Sequence, residues 1–177
     1  MEKEGSRMDE ITIKPHHFID ILKLYGAGIE RFIPDVAMGH DFYKVANELI
    51  DHPTINVKLT VYGDDICRPC KKYNGRCVDE LTSICGYTGK DAYNRTLDEK
   101  IIRLYNLTRE KYTAVQLCSI ILEKKEYIYT VWDKEEPALT QKRYALFVKG
   151  ANKFLKELSA SLLHPQQLLP QSHPEYL

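Results

Sequence analysis

Ile11-Thr12-Ile13-Lys14-Pro15-His16-His17-Phe18-Ile19-Asp20-Ile21-Leu22-Lys23-Leu24-Tyr25 begins as a strand and continues as a helix. Ile11 and Ile13 alternate with Thr12 and Lys14, the two-residue period of a strand. Pro15 then stands at a first helical position, where a residue without an N–H loses no intrahelical bond. A helix is therefore predicted over residues 15–25. Gly26-Ala27-Gly28 stops it, because glycine supplies the left-handed conformation that helix ends favour; residues 29–34 form a connector.

The same two periods organise the rest of the chain. Phe42, Val45, Ala46, Leu49 and Ile50 recur at three- and four-residue steps, a helix that His52-Pro53 ends. Ile55, Val57, Leu59 and Val61 alternate with polar or half-polar residues, as in a strand with one buried face. Gly63-Asp64-Asp65 closes that strand. Further on, Thr96 is read as the cap of a short helix through Leu97, Ile101 and Leu104, and Thr108 as the cap of another running to about Lys125. Residues 127–132 read as a brief strand. Thr140 opens a last helix whose Tyr144, Phe147, Val148, Ala151, Phe154, Leu155 and Leu158 form one apolar stripe. These elements predict an α+β fold: a predominantly helical single domain over residues 11–163 with a small two- or three-stranded sheet. Residues 1–10 and 164–177 read as flexible ends.

The 177 residues carry 25 Lys and Arg against 25 Asp and Glu, which argues against an electrostatic polyanion binder and so against nucleic acid as a partner. The lysine-rich face of the last helix could still meet phosphate. No run approaches the ~20 apolar residues of a membrane span, and the charged start lacks the apolar core of a secretory signal. A cytoplasmic location is expected; partners and oligomeric state are open.

Residues 66–94 show neither period, and Pro69, Gly75, Gly86 and Gly89 interrupt them, so the irregular stretch needs another organiser. Four of the five cysteines fall here, in the order Cys67-x2-Cys70-x6-Cys77-x7-Cys85. A two-residue spacing lets two sulfurs face one metal, and Asn74-Gly75 favours a reversal that returns Cys77 toward the pair. Arg68, Lys71, Lys72 and Arg76 are placed to offset thiolate charge. Cys118, within an apolar helical run, reads as a core residue. Spacing leaves zinc and iron-sulfur equally open.

His16 and His17 occupy the first turn of the first helix, where the dipole disfavours imidazolium and suits a metal ligand or a base. Asp20, four residues on, is placed to orient His16, which makes His16 the better functional candidate of the two.

Pro15-His16-His17, Tyr25-Gly26-x-Gly28 and Gly63-Asp64-Asp65-Ile66-Cys67-x2-Cys70 with Cys77 together resemble a small uncharacterised microbial family suspected of binding iron-sulfur clusters. The resemblance spans residues 11–132. It implies that the histidine helix and the Asp64-Asp65-Ile66-Cys67 loop belong to one site, and it favours iron-sulfur over zinc. The chain departs from that pattern at Asp20, near where relatives carry a cysteine, and at residues 127–132, which lack a late CxxC pair; Cys85 is not part of the pattern.

The expected function is metal binding, with Cys67, Cys70, Cys77 and Cys85 as ligands and His16 and His17 beside them. An iron-sulfur cluster is the leading cofactor. The alternatives are a structural zinc module, or a thiol enzyme in which Cys67 or Cys70 attacks a substrate and His16 is the base.

Overall fold

The computed structural model describes residues 8–81, 84, 86–87, 89–108 and 110–163, with side chains as far as Glu157. Strand β1 (Glu10–Ile13) leads into α1 (Pro15–Gly26), followed by α2 (Phe42–Asp51), β2 (Asn56–Leu59), α3 (Lys90–Leu104), β3 (Lys111–Thr113), α4 (Ala114–Glu123), α5 (Tyr127–Val131) and α6 (Pro137–Leu163). The result is the expected α+β fold, helix-rich with a three-stranded sheet. β2 lies in the middle, parallel to β1 and antiparallel to β3. No helix among the described residues is long and apolar enough to cross a membrane.

The register sets Ile11 opposite Val57 and Ile13 opposite Leu59. These four side chains are buried in one hydrophobic core with Phe18, Ile19 and Leu22 of α1 and Phe147, Ala151 and Phe154 of α6. Their neighbours Thr12, Asn56 and Lys58 are half-buried or exposed, so the sheet is covered on one face, as its period-2 pattern requires. Met8 also packs partly on the core and its N–H reaches Glu48 Oε1 at 3.3 Å, so packing begins ahead of Ile11.

α1 ends in a Schellman arrangement. Gly28 has φ +99°, its N–H donates to the Tyr25 carbonyl at 3.1 Å, and the Ile29 N–H donates to the Leu24 carbonyl at 3.2 Å. Gly26 serves a different purpose: α1 crosses α6 there. A Cβ on Gly26 would lie 2.0 Å from the Leu146 carbonyl oxygen, and one on Gly150 would lie 1.8 Å from the Leu22 carbonyl oxygen.

Four local readings need correction. α3 begins at Lys90, so Thr96 lies inside it and returns its hydroxyl to the Ala92 carbonyl at 3.0 Å. The cap of α4 is Thr113, not Thr108, because residues 111–113 are held to β2 as a strand. Thr113 and Gln116 satisfy each other's backbone N–H in a capping box, and the next free donors, on Ala114 and Val115, reach the carbonyls of Ile55 and Pro53. Residues 127–131 are helical: Ile128, Val131 and Trp132 are buried at three- and four-residue steps, and this packing overrides the strand propensity of Tyr, Ile, Thr and Val. α6 starts at Pro137, and Thr140 is buried against the Trp132 carbonyl. Cys118 is fully buried, as its apolar setting implied.

Candidate metal centre

The C-terminal ends of β1 and β2 lie side by side, which is where parallel strands deliver their functional loops. β1 is followed by Lys14 and the first turn of α1, β2 by the loop that carries Gly63 to Cys70. The start of α1 carries N–H groups that its own backbone leaves unpaired. Two buried carboxylates take them: Lys14 N–H donates to Asp64 Oδ2 at 2.9 Å, and His16 N–H to Asp98 Oδ1 at 2.9 Å. Anions at this end of a helix also gain from its dipole.

Each histidine then turns Nδ1 to one of these carboxylates. His17 Nδ1 is 2.7 Å from Asp64 Oδ2, and His16 Nδ1 is 2.8 Å from Asp98 Oδ1. Their rings lie 4.2 Å apart. Asp64 further accepts the Cys67 N–H at 2.9 Å through Oδ1, while its carbonyl accepts the N–H groups of Cys67 and Arg68. One fully buried carboxylate thus ties the β1–α1 junction to the cysteine loop. Ligand atoms of His17, Asp64 and Cys67 all lie within 4.8 Å of one another, a group able to hold a metal ion.

The electrostatics follow from burial and close charges. Burial works to raise the Asp64 pKa, but His17, the hydrogen bonds and Cys67 outweigh it and hold the carboxyl below the usual carboxylate range. The Cys67 thiol is pushed up to about 12, by burial first and then by Asp64, with Lys14 opposing. Lys14 is 3% exposed; burial alone would lower its pKa, yet Cys67, Asp64, Asp98 and Asp91 raise it. This lysine, between a strand and a proline, is the cation of the centre. Of those expected from sequence, Arg68 pairs with Asp65 at 3.1 Å and Lys71 donates to the Val36 carbonyl at 2.9 Å.

The structure therefore brings the first turn of α1 and the Asp64–Cys67 loop together, and the histidine in the ligand group is His17, not His16. The carboxylate that orients His16 is Asp98, 82 residues away in sequence, and not Asp20. Asp20 instead pairs with Lys23 and Arg143, each at 2.6 Å. Arg143 also bonds Glu135 and lies 4.4 Å over the Trp132 ring.

The other cysteines take separate positions. The Asn74-Gly75 reversal forms, with Gly75 at φ +67° and Tyr73 bridged to Cys77. It sets Cys77 against α3, with its N–H on Asp91 Oδ1 at 3.2 Å. The Cys70 sulfur accepts the Lys72 N–H at 3.4 Å. Among the described residues, neither sulfur belongs to a group of three ligand atoms as close as the one above. Cys85 lies outside the described residues.

Acid sensitivity follows. Asp64 and Asp20 both have lowered pKa values; for Asp20, Lys23 and Arg143 outweigh burial. Depressed carboxylates contribute stability that is present above their unfolded pKa of about 3.9 and is lost as pH falls through the folded values. The free energy of urea unfolding of metal-free protein is expected to be level from about pH 7 to pH 5 and to fall steadily below about pH 4. A flat profile down to about pH 2 would contradict the two pairings. No family model, curated protein or solved structure matches the chain, so a role for it follows from this geometry alone.

Proposed function

We propose that the chain is a mononuclear metal protein in which His17, Asp64 and Cys67 hold one divalent ion of the zinc class, with a coordination position left open. The convergence of one imidazole, one carboxylate and one thiol within 4.8 Å supports this most directly. Zinc accepts this mixture of donors, whereas iron-sulfur clusters are held mainly by thiolates. Three protein donors around a tetrahedral ion leave the fourth place to water or substrate, the arrangement of catalytic rather than structural sites.

Charge balance gives further support. Asp64 and Asp98 are fully buried carboxylates, and Lys14 is the buried cation beside them. Ligation takes the Cys67 proton and uses a neutral imidazole. Three negative charges then face one positive charge, and a single divalent ion brings the group to neutrality. Without a metal, the high thiol pKa makes Cys67 a poor nucleophile at pH 7, which argues against the thiol-enzyme reading at this residue.

Elemental analysis of protein purified without oxygen tests the assignment. One zinc per chain, lost in Cys67→Ser, is the expected result. Iron with acid-labile sulfide and absorption near about 400 nm would replace the single ion with a cluster that recruits Cys70 and Cys77. The open position is tested by cobalt substitution: visible bands that shift on adding azide support it, and bands that ignore azide reject it.

A further inference from the structure

Beyond the loop that carries Asp64 and Cys67 lies a cleft of about 330 Å³ lined by Thr12, Lys58, Leu59, Thr60, Gly63 and Arg68. That size suits a small molecule. We propose that this cleft binds the anionic end, a phosphate or carboxylate group, of a small substrate whose remainder reaches the metal centre. The proposal rests on the metal assignment only for that second half.

The lining offers positive charge and hydroxyl groups, and no carboxylate residue is part of it. Lys58 makes no ion pair among the described residues. The strand register sets it opposite Thr12 on one side and opposite Lys111 on the other. Lys111 pairs with Glu10, so of the two facing lysines Lys58 is the one with no ion pair among the described residues. An anion in the cleft would give Lys58 the charge partner it lacks. Arg68 gives one guanidinium nitrogen to Asp65 and leaves the rest of its fork free for an oxyanion. The Thr60 oxygen already accepts the Tyr62 N–H at 3.1 Å, which leaves its own O–H to donate.

Position ties the cleft to the centre. Gly63 and Arg68 are the immediate chain neighbours of the ligands Asp64 and Cys67. The whole arrangement sits at the C-terminal edge of the parallel pair β1 and β2, where ligands bind in open sheets. An anion held by Lys58 and Arg68 therefore rests against the same six-residue turn that presents two of the three metal ligands.

Amide NMR spectra of the full chain, metal-free and zinc-loaded, titrated separately with inorganic phosphate and with acetate, test this. Saturable shifts of Thr12, Thr60 and Gly63 are expected in both forms, because none of the lining residues is a proposed metal ligand. Lys58→Ala and Arg68→Ala should each weaken binding at least about fivefold while zinc stoichiometry stays at one per chain, and Lys149→Ala on α6 should leave it unchanged. Response to phosphate alone defines a phosphate site and response to both defines a general oxyanion site. Absence of saturation, or equal binding by the Lys58 and Arg68 variants, overturns the cleft. Failure to take up zinc, with the cleft still responding, overturns the metal assignment and leaves the anion site standing.

Discussion

Gly150→Ala is expected to destabilise the fold by about 3 kcal/mol or more, the upper end of what overpacking a close-packed interior costs. The added methyl would lie 1.8 Å from the Leu22 carbonyl oxygen and 2.8 Å from the Gly26 nitrogen. These are backbone atoms of a neighbouring helix and cannot swing aside as a side chain can. α1 would have to move off α6, and with it the first turn that carries His16 and His17. Gly28→Ala is the matched control: it places a methyl in open space and suffers only the left-handed φ of +99°, worth about 1 kcal/mol. Urea midpoints of the two variants make the comparison. If Gly150→Ala is as mild as Gly28→Ala, the helices do not touch through their backbones.

The second large effect is at Asp64. Its carboxylate is fully buried and accepts from Lys14 N–H, His17 Nδ1 and Cys67 N–H. Asp64→Asn keeps the shape but removes the charge and turns an NH2 group toward donors. Breaking a buried charged network from one side costs about 3–5 kcal/mol, and that loss is expected in the metal-free protein. Because Asp64 is also a proposed ligand, zinc affinity should fall more than about 100-fold, beyond the range of losing an outer partner. Asp98→Asn separates the two roles. It unseats His16 but removes no ligand, so affinity should fall by no more than about 100-fold. Competition with a chelator of known affinity reads both variants. Equal losses in the two would remove Asp64 from the ligand set.

The strand–helix junction at Pro15 is legible in the sequence because both sides are short-range patterns: a two-residue alternation and a proline with no N–H to lose. Residues 127–132 are ambiguous in sequence, because Tyr-Ile-Tyr-Thr-Val-Trp satisfies strand propensity and, through Ile128, Val131 and Trp132, helical burial as well. The choice between them was made by the core. Gly26 reads in sequence as part of a helix stop, whereas the stop is Gly28 and Gly26 is a crossing point with a helix more than a hundred residues away. Thr108 and Thr113 are equally good caps by type, and only the pairing of residues 111–113 with β2 selects the later one.

The candidate site divides along the same line. That Cys67 and a histidine of the first turn could serve as metal ligands was open to inspection, since thiol and imidazole are ligands wherever they stand. What those side chains face was not. His17 over His16, Asp64 as the hub, Lys14 as the counter-charge and Asp98 as the second acceptor all depend on contacts spanning 47 to 82 residues. By itself the sequence determined the periodic elements and the supply of ligand chemistry, because both reside in near neighbours and in atoms. Only the tertiary structure decided which ionisable groups are taken out of water and set against one another, because burial is a property of the packed chain as a whole.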